Sequence, residues 1–339
     1  MNDVLIVGGG ILGCATALHC ANRGLTVRVL DRGEAGGGTT PRSFGLVDVL
    51  APAGPVYTPV RAAAVRETAA WLAAAGVAEQ VEWNPCGSLN PAVGPEGAEA
   101  CVAVGVRAQW WPASRLAAEE PALRLPGRGA LHLPEDACLR PGAYLEAVRS
   151  AALRAGAAWA RGEARSLRPV PGGWEAGGHT ARRVVVAAGV WSPLLVPDLP
   201  VEPVRGTILE TAPLPPLLGR YTPDLRQMRD GRVWIGTSHE RTGWSTPCPD
   251  EAVVGRLHAA ACAALPALAA APLVRVWTGL RPVPVDGLPL CGAWPGAEGL
   301  FVCVAHSGIT LAQWLGLRLA RLLAGGAVPE LAPFAPRRR

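Results

Sequence analysis

The residues best suited to chemistry sit in two glycine-bearing turns, one near each end of a chain of 339 residues. In the first, the apolar run Val4-Leu5-Ile6-Val7 leads into Gly8-Gly9-Gly10-Ile11-Leu12-Gly13, and Asp31 follows 23 residues after Gly8. Such a turn opens a helix whose free N–H groups and positive dipole end suit a pyrophosphate. Gly8 permits the turn, Gly10 lets the backbone approach the phosphates beside Ile11 and Leu12, and Gly13 lets the helix pack on the sheet. Asp31 is placed to accept hydrogen bonds from ribose hydroxyls and disfavours a 2′-phosphate, although Arg32 beside it acts the other way. The ligand implied is FAD or NAD; a glycine-rich loop in some other sheet is the bland alternative.

The second turn is Ala305-His306-Ser307-Gly308-Ile309-Thr310, between an apolar strand at 300–304 and an apolar helix to about 323. A helix start here aims its dipole at developing negative charge, of the kind a reduced flavin carries at its N1/O2 edge. His306 reads either as part of that chemistry or as a hydrogen-bonded core histidine. A third candidate is the cluster at 36–40, ending in Thr39-Thr40 and followed by Pro41-Arg42-Ser43-Phe44-Gly45. Its hydroxyls and N–H groups could close a second wall around the ligand, or form a plain surface loop.

The elements that must hold these turns follow from periodicity. A strand at 4–7, a helix closed by Gly24 and a strand at 26–30 frame the first turn. The spacing predicts an amphipathic helix over 60–75 stopped by Gly76, a helix from Pro141 to about Gly156, and a helix capped by Asp250. The run 184–189 reads as a strand buried on both faces. Residues 81–139 read as short and strand-like, and strands are expected around 207–209 and 233–235. The organisation is interleaved: α/β segments at the start, middle and end, with two mixed inserts between them.

Composition excludes several classes. Half the residues are hydrophobic and 17% are charged, which suits a globular chain of two domains rather than a disordered one. The net charge of +5 is largely the terminal Arg337-Arg338-Arg339, too little elsewhere for a nucleic-acid surface. No apolar run reaches the ~20 residues of a membrane helix, and the start lacks a secretion signal. No lysine occurs, so amine-based catalysis is excluded. Nine cysteines in spacings that fit neither zinc nor a disulfide framework point to a reducing compartment, the cytoplasm.

Taken together, these motifs resemble the D-amino-acid oxidase family of FAD-dependent oxidoreductases, which includes glycine- and sarcosine-oxidising members. The resemblance runs nearly end to end. It rests on the residues from Val7 to Gly13, on Val186-Ala187-Ala188-Gly189-Val190-Trp191-Ser192 and on Pro203-Val204-Arg205-Gly206. It continues in Gly231-Arg232-Val233-Trp234-Ile235-Gly236, Gly279-Leu280-Arg281-Pro282, Asp286-Gly287-Leu288-Pro289 and His306-Ser307-Gly308-Ile309.

The resemblance implies an α/β fold. An FAD-binding, Rossmann-like domain of the glutathione-reductase type (1–50, 139–202, 276–339) is interleaved with a mixed-sheet α+β substrate domain (51–138, 203–275). It implies non-covalent FAD and oxidation of a carbon–nitrogen bond: hydride passes to flavin N5, the imine hydrolyses, and oxygen or an electron-carrier partner reoxidises the flavin. Arg281 matches the arginine that grips a substrate carboxylate, as a planar two-pronged donor should. Gly308, Ile309 and Thr310 match the turn at the flavin pyrimidine edge, and Arg42 and Ser43 the segment beside the ring. Asp31 matches the ribose acid, Ala164 the residue whose backbone meets the adenine, and Ala188, Gly189 and Trp191 fall within the central motif.

Departures carry information. Pro282 and Arg42 stand where covalently flavinylated members place Cys or His, and no lysine is available for oxygen activation, which leaves oxidase and dehydrogenase both open. A pocket tyrosine of the glycine-oxidising members falls near Asp224, with Tyr221 three residues earlier, and Trp234 or Trp244 is a candidate replacement in the pocket. The rival readings are a flavin-binding subunit passing electrons within a larger amine dehydrogenase, and an NAD(P)H-dependent flavin hydroxylase. The second is disfavoured because its late flavin motif is replaced by Leu290-Cys291-Gly292-Ala293.

Overall fold

The computed structural model describes residues 1–33, 38–50, 57–244 and 249–337. Its main sheet has eight strands. Five run parallel in the order Leu300–Val304, His179–Val186, Asn2–Val7, Val27–Asp31, Ala158–Arg161, and Leu290–Ala293 pairs antiparallel at one edge. The hairpin strands Arg168–Val170 and Gly173–Ala176 branch off His179–Val186. Side-chain alternation divides the strand Asn2–Val7 between two cores. Val4 and Ile6 face the helices Ile11–Ala21, Tyr57–Ala75, Pro141–Arg154 and Gly308–Leu323, while Leu5 and Val7 pack on the other side with Val184, Val186 and Leu300. A Cβ on Gly316 would lie 2.8 Å from the Ala15 backbone, so the first and last helices touch nearly backbone to backbone. That contact brings the two ends of the chain together.

A second sheet, in the order Leu225–Gln227, Val233–Ile235, Val201–Thr211, Leu273–Pro284, is antiparallel throughout. Its two long strands pair from Val201↔Pro284 to Thr211↔Leu273. A three-stranded sheet (Ser88–Asn90, Gly129–Leu133, Gln109–Pro112) lies beside it, joined through the bridge Ser88↔Tyr221. The architecture is an α/β fold in which the parallel sheet and the mixed-sheet segments alternate along the chain, as expected.

Several expectations are corrected. The stretch 81–139 holds two helices, Pro95–Ala103 and Ala113–Glu119, as well as strands. The strand expected at 207–209 extends over Val201–Thr211. Among the described residues no helix is long and apolar enough to cross a membrane. Nor does any group of three His, Cys, Asp or Glu there suit a metal.

Candidate active site

The first turn is shaped by steric necessity. Gly8 has φ +112°, and a Cβ there would lie 2.4 Å from the Ala187 oxygen, so only glycine fits. A Cβ on Gly13 would lie 1.9 Å from the Gly8 oxygen, so the helix start presses directly on the turn. Gly9, which the motif reading passed over, would collide with the Trp159 ring at 2.2 Å, and its N–H donates to Asp31 Oδ2 at 2.6 Å. Asp31 Oδ1 accepts from Gly33 N at 2.9 Å, so the acid orders the loop that carries it. Gly10 differs: the nearest atom to a Cβ there is Thr40 Oγ1 at 3.5 Å, and the residue faces open space. Thr40 Oγ1 accepts from Ile11 N at 3.2 Å, capping the helix start from a distant loop.

That open space is a cavity of about 390 Å³. Gly8, Gly10, Ile11 and Leu12 form one wall, and Asp31, Arg32, Gly162 and Ala164 one end. Ala188, Gly189 and Trp191 line the middle, with the Arg32 guanidinium 4.2 Å above the Trp191 ring. Thr39, Thr40, Ser43, Pro282, His306, Gly308 and Ile309 close the other end. Both helix starts therefore face one elongated cavity with an acid at the far end from the second turn. This shape and donor set fit FAD.

Four of the expected residues do not line the cavity. Gly13 lies behind the turn. Arg42 is exposed, with Nη1 donating to Gly38 O at 2.9 Å. Thr310 is 1% exposed, and its hydroxyl is shared with the Asp48 backbone N–H and carboxylate at 3.3 Å each, so it ties the last helix to the segment after Gly45. Arg281 lies on the second sheet beside the ring end. Gly36 and Gly37 of the third cluster are outside the described residues. Neither tryptophan suggested for the pocket lines it: Trp234 is buried beside Trp277 and donates to Glu210 at 2.7 Å, and Trp244 is exposed. Cavity residues that sequence reading missed include Gly162 and Cys303, which stood in no recognised motif, and Pro282 and Ala187, which did.

Arg281 occupies a bare patch of the second sheet. Gly206 and Gly279 are paired across the two long strands, and a Cβ on Gly206 would lie 2.3 Å from the Arg281 guanidinium, which therefore lies flat on the backbone. Its Nη1 donates to Ser238 O at 2.8 Å. The neighbouring carboxylate, Glu240, is taken by Arg205 (Nε at 2.9 Å), Thr207 Oγ1 at 3.0 Å and Ser238 Oγ at 2.5 Å. Among the described residues no carboxylate pairs with Arg281, and burial lowers its pKa to about 10. Thr39 Oγ1 donates to Leu280 O at 2.5 Å, which fastens this strand to the cavity loop.

His306 is no core histidine: it is exposed on the cavity wall, with Nδ1 3.4 Å from Ser307 Oγ. Enclosure by the surrounding protein, then the charges of Arg281, Arg61 and His239, hold its pKa far below the usual value, so the ring is neutral at pH 7. Behind the second turn lies a buried polar cluster. Arg61, 2% exposed, pairs with Asp48 and donates to Val49 O at 3.1 Å. Asp136, 1% exposed, accepts from Ser88 Oγ at 2.6 Å and Val49 N at 2.9 Å. Burial, and next the Asp48 charge, push the Asp136 carboxyl up to about 7.

Comparison with known proteins bears on this cavity. The DAO family, described as FAD dependent oxidoreductase, matches residues 3–322. A glycine oxidase of Pseudomonas aeruginosa is 30% identical over 372 residues, covering 98% of each chain. A bifunctional tRNA 5-methylaminomethyl-2-thiouridine biosynthesis protein of Paracidovorax citrulli is 32% identical over 97% of this chain, which spans 58% of that protein's length. The crystal structure of glycine oxidase from Geobacillus kaustophilus superposes with a TM-score of 0.91 at 26% identity, covering 100% of this chain and 99% of that one.

Proposed function

The chain belongs to the DAO family of FAD-dependent oxidoreductases and acts on amines or amino acids, and from that premise we propose that it oxidises the C–N bond of a substrate whose carboxylate is held by Arg281. The observation that carries this reading is the Arg281 guanidinium. It is half-buried and donates only to backbone oxygens, and the neighbouring Glu240 acts on it through charge without forming an ion pair with it. Removing a guanidinium from water is costly, and an arriving carboxylate would supply the missing anion through two charge-assisted hydrogen bonds.

Bound FAD supplies the two-electron oxidant. The chain's own part is positioning. Gly8, Gly10, Ile11 and Leu12 present backbone to the phosphates, with Asp31 at the ribose and Ala164 at the adenine. Ala188, Gly189 and Trp191 hold the middle, and Thr39, Thr40, Ser43, Gly308 and Ile309 surround the ring. Arg281 fixes the substrate so that its α-carbon hydrogen faces the ring. His306, neutral at pH 7, offers a hydrogen-bonding wall rather than a base. We retain the division into an FAD-binding part (1–50, 139–202, 276–339) and a substrate part (51–138, 203–275). Non-covalent attachment is supported by Pro282 at the ring end, which offers no nucleophile. Reoxidation falls to oxygen or an electron-carrier partner. A cytoplasmic site is supported by the eight described cysteines, all free.

The test is anaerobic mixing of FAD-loaded protein with single amino acids and N-methyl amino acids, followed through the yellow flavin absorbance. Bleaching is expected, with recovery in air marking an oxidase. A flavin that no amine bleaches overturns the reading.

A further inference from the structure

Two buried sulfurs face each other at the floor of the cavity. The edge strand Leu290–Ala293 pairs antiparallel with Leu300–Val304 in a register that sets Cys291 directly against Cys303. Register partners in such a ladder have Cα atoms about 4.5–5.5 Å apart, within the roughly 4.4–6.8 Å that a disulfide spans. The backbone need not move to join them. Alternation turns both side chains to the helix side of the sheet, into the core that holds Leu12, Ile309 and Leu311. There Cys291 Sγ donates to Cys303 Sγ at 4.0 Å. That contact, and next burial, push the pKa of the Cys291 thiol well above its usual value. The two sulfurs differ in access. Cys291 is wholly buried and is not among the residues lining the cavity, whereas Cys303 lines it beside Val7 and Ala187, at the ends of neighbouring strands. A small reagent in the cavity therefore meets Cys303 first. Cys14, by contrast, has its thiol on a backbone oxygen, that of Gly9, at 3.3 Å.

We infer that Cys291 and Cys303 are an oxidisable dithiol, which hydrogen peroxide in the cavity converts to a disulfide and which bound FAD shields by covering Cys303. In the first step the Cys303 sulfur attacks one peroxide oxygen. An S–O bond forms, the O–O bond breaks, and the thiol proton leaves with the other oxygen as water. In the second, the Cys291 sulfur attacks the sulfur of the sulfenic acid. An S–S bond forms, and the hydroxyl departs with the Cys291 proton as a second water. The pair gives up two electrons and two protons, and the peroxide is reduced. Where oxygen reoxidises the flavin it leaves as hydrogen peroxide, inside the cavity that Cys303 lines. The inference is independent of the carboxylate role proposed for Arg281.

The experiment exposes the FAD-binding chain to hydrogen peroxide at rising concentrations of free FAD, then blocks the remaining thiols with iodoacetamide in denaturant. No arginine or lysine lies between Cys291 and Cys303, so trypsin leaves both in one peptide. With little free FAD this peptide is expected unalkylated and about 2 Da lighter, and to take up two alkyl groups after dithiothreitol. Saturating FAD is expected to slow the change about tenfold, since at about ten times Kd roughly one cavity in ten is empty. Cys20, buried on the helix Ile11–Ala21, is expected to stay alkylatable throughout, which separates this chemistry from unfolding. In Cys291→Ala and Cys291→Ser, Cys303 is expected to stop at the sulfenic acid and to be trapped by dimedone. Both cysteines still alkylated after peroxide at every FAD concentration overturns the inference. So does a disulfide that forms equally fast under saturating FAD, or oxidation of Cys20 in step with the pair. A dimedone adduct on Cys303 in neither variant overturns its place as the sulfur attacked.

Discussion

The two ends of the cavity are built on different principles. At the end proposed for the phosphates, residues 8–13 present backbone, and the shape is enforced by close contacts: a Cβ on Gly13 would lie 1.9 Å from the Gly8 oxygen. At the end proposed for the substrate, side chains dominate, and they come from the strand Leu273–Pro284, which carries Arg281, and the turn at 305–308. A local backbone motif can grip only what is common to all dinucleotides. Discrimination needs charges and rings whose relative placement depends on two sheets meeting.

The sharpest way to break this comparison is Gly10→Val. A side chain there enters open cavity rather than protein, so a folded, colourless chain is expected, read as absent flavin absorbance with an unchanged circular dichroism spectrum. A yellow variant would mean that the phosphates lie elsewhere. Next in size is Arg281→Leu, which should keep FAD but lower kcat/KM for amino acids by about 100- to 1000-fold, the worth of a paired guanidinium at roughly 3–4 kcal/mol. Stopped-flow reduction checks this, and unchanged kinetics would remove Arg281 from the substrate.

pH separates the two ends as well. The Asp136 carboxyl is raised from 3.8 to about 7, so between those values the folded chain keeps a proton that the unfolded chain has lost. The stability contributed by this group therefore falls as pH rises through that window, by at most about 1.4 kcal/mol per pH unit, and levels off above it. Denaturant titrations from pH 4 to 8 should show a shallower decline for Asp136→Asn than for wild type. The smallest effect is expected for Thr40→Val, which removes the cap on Ile11 N. A loss of about 1 kcal/mol, or about fivefold in FAD affinity by fluorescence titration, would place this distant hydroxyl among the supports of the phosphate end.

The contrast also explains what could be read in advance. The first turn, Asp31, the helix start at Gly308 and part of the buried strand were legible because each depends on a short run of residues and one period; the run expected as strand over 184–189 is the end of His179–Val186, and a 3-10 helix begins at Gly189. The long strands Val201–Thr211 and Leu273–Pro284 were not, because Pro203 stands opposite Pro282 and Gly206 opposite Gly279, residues that break strand patterns when read singly. The helices Pro95–Ala103 and Ala113–Glu119 were hidden by the prolines and glycines around them, which served there as helix starts. Gly9 went unnoticed as a constrained position because Trp159, which it must clear, lies 150 residues away in sequence.

By itself the sequence determined the glycine turn, the helix start it opens and the acid Asp31 at the end of the next strand, since glycine spacing and a helix start act over a few residues. Only the tertiary structure decided that Glu240 serves Arg205 and leaves Arg281 bonded to backbone oxygens alone. Ion pairing depends on distance between segments far apart in the chain, and no local pattern encodes that distance.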